Sequence, residues 1–132
     1  MLLNLPPQVL IILAFCLIFA LTFHEFGHAY TAHLCGDDTA RLAGRMTLNP
    51  LVHLDLFGSL MVLIVGFGYA RPVPVNPSNY RVRNADFFIA SAGPLMNLLL
   101  GIIGASFYAI LANNITILAG VPILFLLKLF II

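Results

Sequence analysis

The sequence predicts an all-α polytopic membrane protein with three to four apolar helical segments, one of them a candidate re-entrant segment, and a short extended proline-rich loop. Hydrophobic residues make up 61% of the 132 residues and charged residues only 8%, against norms of roughly 45–50% and about 25% in soluble domains. Charge this sparse cannot cover a water-exposed surface, and disorder requires the opposite balance. The apolar residues also fall into runs of membrane-spanning length. The net charge of +1, with scattered Lys and Arg, gives no indication of nucleic-acid binding.

The first apolar run covers residues 9–23, behind Pro6 and Pro7, which a helix tolerates at its start. Fifteen helical residues span about 22 Å, less than the roughly 30 Å hydrocarbon core, so the helix must continue through residues 24–34. Gly36 and Asp37 then end it. The ionisable residues just after the run therefore lie below the membrane surface, where such groups are costly and usually functional.

A polar connection, residues 36–54, leads to a second apolar run at 56–67. We interpret three acidic residues outside the apolar runs as solvated interfacial charges: Asp37, Asp38 and Asp86. Twelve residues are short for a span, and arginines occur in the connections on both sides. The positive-inside rule puts both connections in the cytoplasm, which predicts a re-entrant segment. Three prolines within residues 72–77 forbid a helix there and favour extended backbone.

The third apolar run, residues 87–111, is long enough to span, and Gly93 and Pro94 should bend or start its main helix. One face carries small and polar residues at helical spacing: Gly93, Asn97, Gly101, Gly104 and Tyr108. Such a stripe predicts close helix packing, and Asn97 fits either an interhelical hydrogen bond or a role near the site. The last run, residues 115–132, is apolar apart from Lys128 and looks like a chain cut within a helix.

The residues with the strongest chemical signal are His24, Glu25 and His28, an H-E-x-x-H motif. Residues four apart on a helix share a face, so both imidazoles can bind one metal ion, typically zinc. Glu25 projects about 100° further round and can take the proton of a zinc-activated water, whose hydroxide attacks a peptide carbonyl. Glu25 is the only glutamate and falls inside a span. A carboxylate without a purpose there costs several kcal/mol, which favours a metal site over a chance occurrence.

The third protein ligand stays open, because no second glutamate exists. It must be an aspartate, a histidine or a group off this chain. His33 lies about 180° around the helix from His24 and cannot join the same metal from this helix. His53 and Asp55 lie beside the second apolar run and could reach the site, although helix capping or ion pairing explains them as well.

Four stretches in this order resemble the site-2 proteases, the intramembrane zinc metalloproteases of peptidase family M50: residues 24–29, 44–55, 67–77 and 92–97. The compact prokaryotic branch, without appended domains, is the most similar. The resemblance implies a zinc metalloendopeptidase, a hydrolase that cleaves a peptide bond within or beside a transmembrane segment of its protein substrate. It implies that His24 and His28 bind Zn²⁺ and that Glu25 activates water. It also implies site-facing roles for residues of the third run, Gly93, Pro94 and Asn97, and places residues 71–77 near the substrate path.

The chain departs from the family at the third zinc ligand, an aspartate in a later Leu-Asp-Gly motif that does not occur here. We therefore expect residues 1–132 to form a single membrane-embedded metalloprotease core that is truncated at the C-terminus. The expected location is a prokaryotic cell membrane, as a multi-pass protein with the arginine-bearing loops cytoplasmic. The expected partners are the lipid bilayer and a transmembrane protein substrate, and the oligomeric state stays open.

Two other functions stay open. A non-catalytic relative or fragment would keep the fold and bind transmembrane helices without cleaving them, and the missing ligand motivates this alternative. A metal transporter would use His24 and His28 as a transit site. It would need more polar residues along a path than Ser91 and Asn97 provide.

Overall fold

The computed structural model describes residues 2–114, and every regular element within them is helical. The α-helices are α1 (Pro7–Leu34), α2 (Thr39–Leu42), α3 (Leu56–Val65) and α4 (Ala85–Asn114), with single 3₁₀ turns at Leu2–Asn4, Pro50–Val52 and Pro77–Asn79. The all-α prediction is confirmed for these residues. The fourth apolar run, residues 115–132, lies outside them.

Two helices, α1 and α4, are long and apolar enough to cross a membrane. Their 28 and 30 residues correspond to about 42 and 45 Å of helix, more than the roughly 30 Å core. The continuation of α1 through residues 24–34 is confirmed. The ten residues of α3 reach only about 15 Å, so this helix cannot cross alone. Its re-entrant placement stays a prediction.

The third run forms one helix through Pro94, so the expectation that Gly93 and Pro94 start its main helix is wrong, whereas a bend at these residues stays a prediction. Pro94 lacks the N–H that would bond four residues back, and its ring crowds that carbonyl. The helix nevertheless begins at Ala85 because its first two turns bury their apolar face, with Ala85 and Ile89 both less than a tenth exposed. Burial of this face offsets the backbone hydrogen bond that Pro94 removes.

The C-terminus of α1 is set by Gly36, as predicted. Its φ of +100° is a left-handed conformation that glycine adopts without strain. The N–H of Gly36 donates to the His33 carbonyl (3.1 Å), and the N–H of Asp37 donates to the Ala32 carbonyl (2.9 Å). These two bonds are the Schellman motif, which satisfies carbonyls that a helix end otherwise leaves free.

Helices α1 and α4 pack antiparallel, because His28 contacts Ile89 while His24 contacts Asn97. Glycine sets how closely they approach. A Cβ at Gly27 would lie 2.6 Å from Cγ of Met96 and 3.0 Å from the Ala92 carbonyl oxygen. The small-residue stripe of α4 takes part in this packing, since Gly93 and Gly104 are buried.

Residues 71–76 of the proline-rich loop form neither helix nor strand, and Asn76 has extended backbone angles, but the predicted exclusion of a helix is wrong at Pro77, which begins a 3₁₀ turn. Side chains and carbonyls of earlier residues hold the loop in place. The N–H of Arg71 donates to the His53 carbonyl (2.9 Å). The Arg45 guanidinium donates to the carbonyls of Arg71 (2.7 Å) and Pro72 (3.2 Å). Further along, the N–H of Asn76 donates to the Asp37 carboxylate (2.7 Å). The loop therefore has fixed attachments at both ends.

The interpretation of Asp37 as a solvated charge is wrong, because its side chain is fully buried. Its carboxylate accepts hydrogen bonds from the N–H and hydroxyl of Thr39, the N–H of Asn76 and the amide of Asn79. Burial alone would raise the pKa of this carboxyl, but the four hydrogen bonds outweigh it and lower the pKa to about 2. A buried ionised carboxylate persists here because donors surround it.

The neighbouring Asp38 does lie near the surface. It pairs with Arg41 (3.0 Å) and with His33 (2.5 Å), and hydrogen bonds from these two residues hold the pKa of its carboxyl below the usual range. Asp86 is also exposed. For these two residues the interfacial interpretation agrees with the structure.

Candidate metal centre

The two histidines of the H-E-x-x-H motif lie side by side on α1, facing α4. Their ring centroids are 4.8 Å apart and the rings meet edge to face. A Cβ at Gly93 would stand 2.5 Å from Nε2 of His24 and 2.5 Å from Nε2 of His28. Both Nε2 atoms therefore point at one spot against the α4 backbone, where glycine leaves room. Zinc–imidazole bonds of roughly 2.0–2.1 Å suit nitrogens that converge in this way.

The tautomer of His28 follows from its partner on α4. Its Nδ1 lies 2.6 Å from the Ile89 carbonyl oxygen. A carbonyl can only accept, so Nδ1 carries the proton and donates it. Nε2 then keeps a free lone pair, which is the form that a metal requires.

The ring of His24 is oriented by Asn97, whose amide nitrogen lies 3.0 Å from Nδ1. A half turn of the amide brings its oxygen to the same place. The oxygen then accepts a proton from Nδ1 and leaves the lone pair on Nε2. A metal on Nε2 would require this second arrangement. The sequence left two roles open for Asn97, an interhelical hydrogen bond and a position near the site. The contact with His24 fits both, because it joins α4 to α1 at a histidine of the motif.

Glu25 lies beside the histidine pair and is buried, with 9% of its surface exposed. It is close enough to His24 for their charges to interact. Among residues 2–114 its carboxylate has no hydrogen-bond partner. Both carboxylate oxygens are therefore free of protein partners within the described residues.

The other predicted candidates have local roles in the structure. Asp55 is the N-cap of α3, accepting from the N–H of Gly58 (2.9 Å). His53 is fully buried, with Nε2 2.9 Å from the Thr47 carbonyl oxygen. Pro94 follows Gly93 on α4 and is exposed. The described part of the chain holds no group of three or more His, Cys, Asp or Glu side chains suited to a metal.

The residues present fit two of the ligands of a zinc site, together with their supporting partners. The support from Ile89 was not predictable from side-chain patterns because it is a backbone carbonyl. The one available signal was spacing, since Ile89 lies one helical turn before Gly93 on the same face of α4. Histidine ligands generally donate their second ring N–H to such a group, which fixes the ring and raises its basicity.

Comparison with known proteins agrees with this geometry. Residues 12–122 match the profile of Peptidase family M50. The chain is 47% identical over 100 residues to "Putative zinc metalloprotease YwhC" of Bacillus subtilis (strain 168), covering 75% of this chain and 46% of that protein. It is 34% identical over 91 residues to "Putative zinc metalloprotease Rip2" of Mycolicibacterium smegmatis (strain ATCC 700084 / mc(2)155), covering 65% of this chain and 35% of that protein.

The chain spans less than half the length of these two relatives. No solved structure matches it. The profile nevertheless covers well over half of the chain, including the helix with the paired histidines and the helix that orients them. The chain therefore belongs to peptidase family M50, the membrane-embedded family of site-2 protease-like metalloproteases.

Proposed function

We propose that this chain is the core of an intramembrane zinc metalloprotease that hydrolyses peptide bonds in or near transmembrane segments of protein substrates. The observation that supports it most is the convergence of the two Nε2 atoms on the space beside Gly93. The fixed tautomer of His28 adds to this support, because it presents a lone pair where a metal would bind.

Each residue of the proposed site has a separate role in the reaction. When bound, zinc supplies a Lewis acid that polarises a carbonyl and activates water at neutral pH. His24 and His28 would hold it, and Asn97 and the Ile89 carbonyl keep their rings in position. The Glu25 carboxylate takes a proton from the attacking water and returns it to the leaving amine nitrogen. A third ligand comes from outside residues 2–114.

The depth of the site supports a substrate within the membrane. His28 lies six residues before the end of α1, about 9 Å along the helix, and His24 lies about 15 Å from it. The helix is long and apolar enough to cross a membrane. A peptide bond that reaches these histidines therefore lies at or below the level of the lipid headgroups.

The first test is the zinc content of detergent-purified protein, measured by elemental analysis. We expect near-stoichiometric zinc in the wild type and its loss in His24→Ala. The matched control is His33→Ala, which removes a histidine of the same helix that pairs with Asp38. Wild-type zinc no higher than that of His24→Ala would contradict the proposed site.

Proteolysis needs its own test, because zinc binding alone does not prove turnover. We expect the full-length protein to cleave a reporter with a transmembrane segment, and Glu25→Gln to lose cleavage while keeping zinc. Cleavage unchanged by Glu25→Gln would remove Glu25 from the mechanism. No cleavage by a zinc-loaded wild type would reject the protease.

A second candidate is a non-catalytic relative that binds transmembrane helices. The observation behind it is that residues 2–114 contain two histidine ligands and no third side chain grouped with them. This function predicts that Glu25→Gln leaves partner binding and cellular phenotype intact. Loss of the phenotype in Glu25→Gln would reject it.

A further inference from the structure

The positive charge of the described chain is concentrated at one end of the helix pair. Because α1 and α4 are antiparallel, the C-terminus of α1 and the N-terminus of α4 lie at the same end. All five arginines of residues 2–114 fall in the connection between these two helix ends: Arg41, Arg45, Arg71, Arg81 and Arg83. Arg41 follows the end of α1 and Arg81 bonds to Cys35 just before α4, so at least Arg41, Arg81 and Arg83 lie at this end of the helix pair.

Three of the four aspartates in the described residues hydrogen-bond to groups other than Arg81 and Arg83. Asp37 is buried among its donors, and Asp38 pairs with Arg41 and His33. Asp55 caps α3, and Asp86 is exposed in the first turn of α4. Within the described residues, none of these carboxylates forms an ion pair with Arg81 or Arg83.

Two arginines that precede α4 have no such partner. Arg81 and Arg83 are exposed, and neither forms an ion pair within the described residues. The position of Arg81 is well fixed: its N–H donates to the Cys35 carbonyl (2.8 Å), and a Cβ at Gly36 would lie 2.8 Å from its Cγ. The structure therefore holds the backbone and Cγ of Arg81 against the end of α1, and its guanidinium forms no ion pair within the described residues.

Large apolar side chains follow directly after the two arginines. Phe87 and Phe88, in the first turn of α4, are 68% and 48% exposed. The chain thus passes from exposed cations to exposed aromatic rings as it enters the apolar helix. A phospholipid presents the same order, an anionic phosphate outside and acyl chains inside.

We propose that Arg81 and Arg83 form a binding surface for the phosphate headgroup of an anionic phospholipid, whose acyl chains lie along Phe87 and Phe88. Charge complementarity selects the anionic lipid, since a zwitterionic headgroup offers no net charge to two unpaired guanidinium groups. The surface lies at the end of α1 and α4 and does not use the histidine pair. The proposal is therefore independent of the proposed protease function.

The test is native mass spectrometry of the detergent-purified protein, titrated with phosphatidylglycerol or with phosphatidylcholine of the same acyl chains. We expect the first phosphatidylglycerol to bind more tightly than phosphatidylcholine. Basic residues near a membrane surface contribute an attraction that corresponds to roughly five-fold in affinity each. Arg81→Gln and Arg83→Gln should each lose about that factor for phosphatidylglycerol and leave phosphatidylcholine unchanged.

Two further variants test whether the lipid preference depends on the positive charge at this surface, rather than on the arginine side chains as such or on the net charge of the protein. Arg81→Lys with Arg83→Lys keeps the charge and should keep the preference. Arg41→Gln removes the same charge from an arginine that already pairs with Asp38, and it should change the preference little. An equal loss in Arg41→Gln, or no lipid preference in the wild type, would overturn the proposal. So would displacement of the lipid by inorganic phosphate at matched ionic strength, which would assign the surface to a free anion.

Discussion

The two histidines differ in how their rings are held. The partner of His28 is the backbone carbonyl of Ile89, which no side-chain substitution removes. The partner of His24 is the side chain of Asn97, which substitution can remove. The two potential ligands therefore depend on α4 in different ways, and only one of these supports is open to direct mutational test.

Asn97→Leu should weaken zinc binding by about 10–100-fold, the usual effect of losing an outer-shell partner of a histidine ligand. Competition with a chelator of known affinity measures it. Ser106→Ala is the control, since this α4 hydroxyl bonds only within its own helix, to the Ile102 carbonyl. Equal affinity in Asn97→Leu and wild type would show that Asn97 does not support the ligand.

Gly93→Ala should abolish zinc binding, because its Cβ would stand 2.5 Å from both Nε2 atoms and something must shift. Elemental analysis measures the zinc. The resistance of the protein to unfolding by SDS shows whether the helices have also separated. Zinc retained at wild-type level would mean that the two Nε2 atoms do not converge beside Gly93.

At this scale the sequence predicted a good part of the site. His24 and His28 share one face provided that the first helix continues past residue 23. The apolar run predicted this continuation, because fifteen residues are too short to cross a membrane. The stripe of small and polar residues on α4 predicted that Gly93 and Asn97 face a neighbouring helix. The contact of the Ile89 carbonyl with His28 could not be predicted from the sequence. Every residue has a carbonyl, and only the packing of α4 against α1 decides which one meets a histidine.

Among the elements, the proline-rich loop depends most on a single side chain. Asp37 joins the end of α1 to the loop by binding the Asn76 N–H and the Asn79 amide. The sequence could not predict this, because those partners lie 39 and 42 residues away. Within its local sequence Asp37 belongs to a Gly-Asp-Asp turn, a pattern typical of exposed connections.

The folded pKa of Asp37 lies at about 2, below its ordinary 3.8, so the unfolded chain takes up the proton first on acidification. Its contribution to stability is therefore complete above about pH 4 and lost as the pH falls through about 2. SDS-unfolding curves at a series of pH values should show this loss in the wild type. Asp37→Asn should be less stable at neutral pH by about 2 kcal/mol, a typical value for hydrogen bonds to a charged group.

The control for Asp37 is its neighbour. Asp38→Asn changes the same charge at a half-exposed carboxylate, where solvent screens the ion pairs, so its effect at neutral pH should be smaller. Equal losses of stability in the two variants would show that burial does not distinguish the two carboxylates.

For the whole molecule, the antiparallel helix pair and the arginines at the shared end of α1 and α4, Arg41, Arg81 and Arg83, together favour one orientation. The positive-inside rule favours that end in the cytoplasm. With α1 crossing the membrane, the two ends of α1 then face opposite compartments.

This orientation is testable with single cysteines on a background in which Cys16 and Cys35 are alanine. Ser78→Cys lies at the arginine-bearing end, and Asn4→Cys lies at the other; both positions are exposed. A membrane-impermeant thiol reagent should label Asn4→Cys in intact cells and Ser78→Cys only after permeabilisation. The reverse pattern would invert the topology, and labelling of both in intact cells would contradict a crossing by α1.

The close approach of α1 to α4 at Gly27 and Gly93 has a consequence for how the protein matures. Transmembrane helices enter the bilayer separately and associate afterwards. Until α4 docks, His24 and His28 lack the amide and the carbonyl that orient their rings. The proposed zinc site would therefore form only after helix association during biogenesis. Under the proposed function, a newly inserted chain would stay inactive until its helices have met, and neighbouring membrane proteins would be protected from premature cleavage.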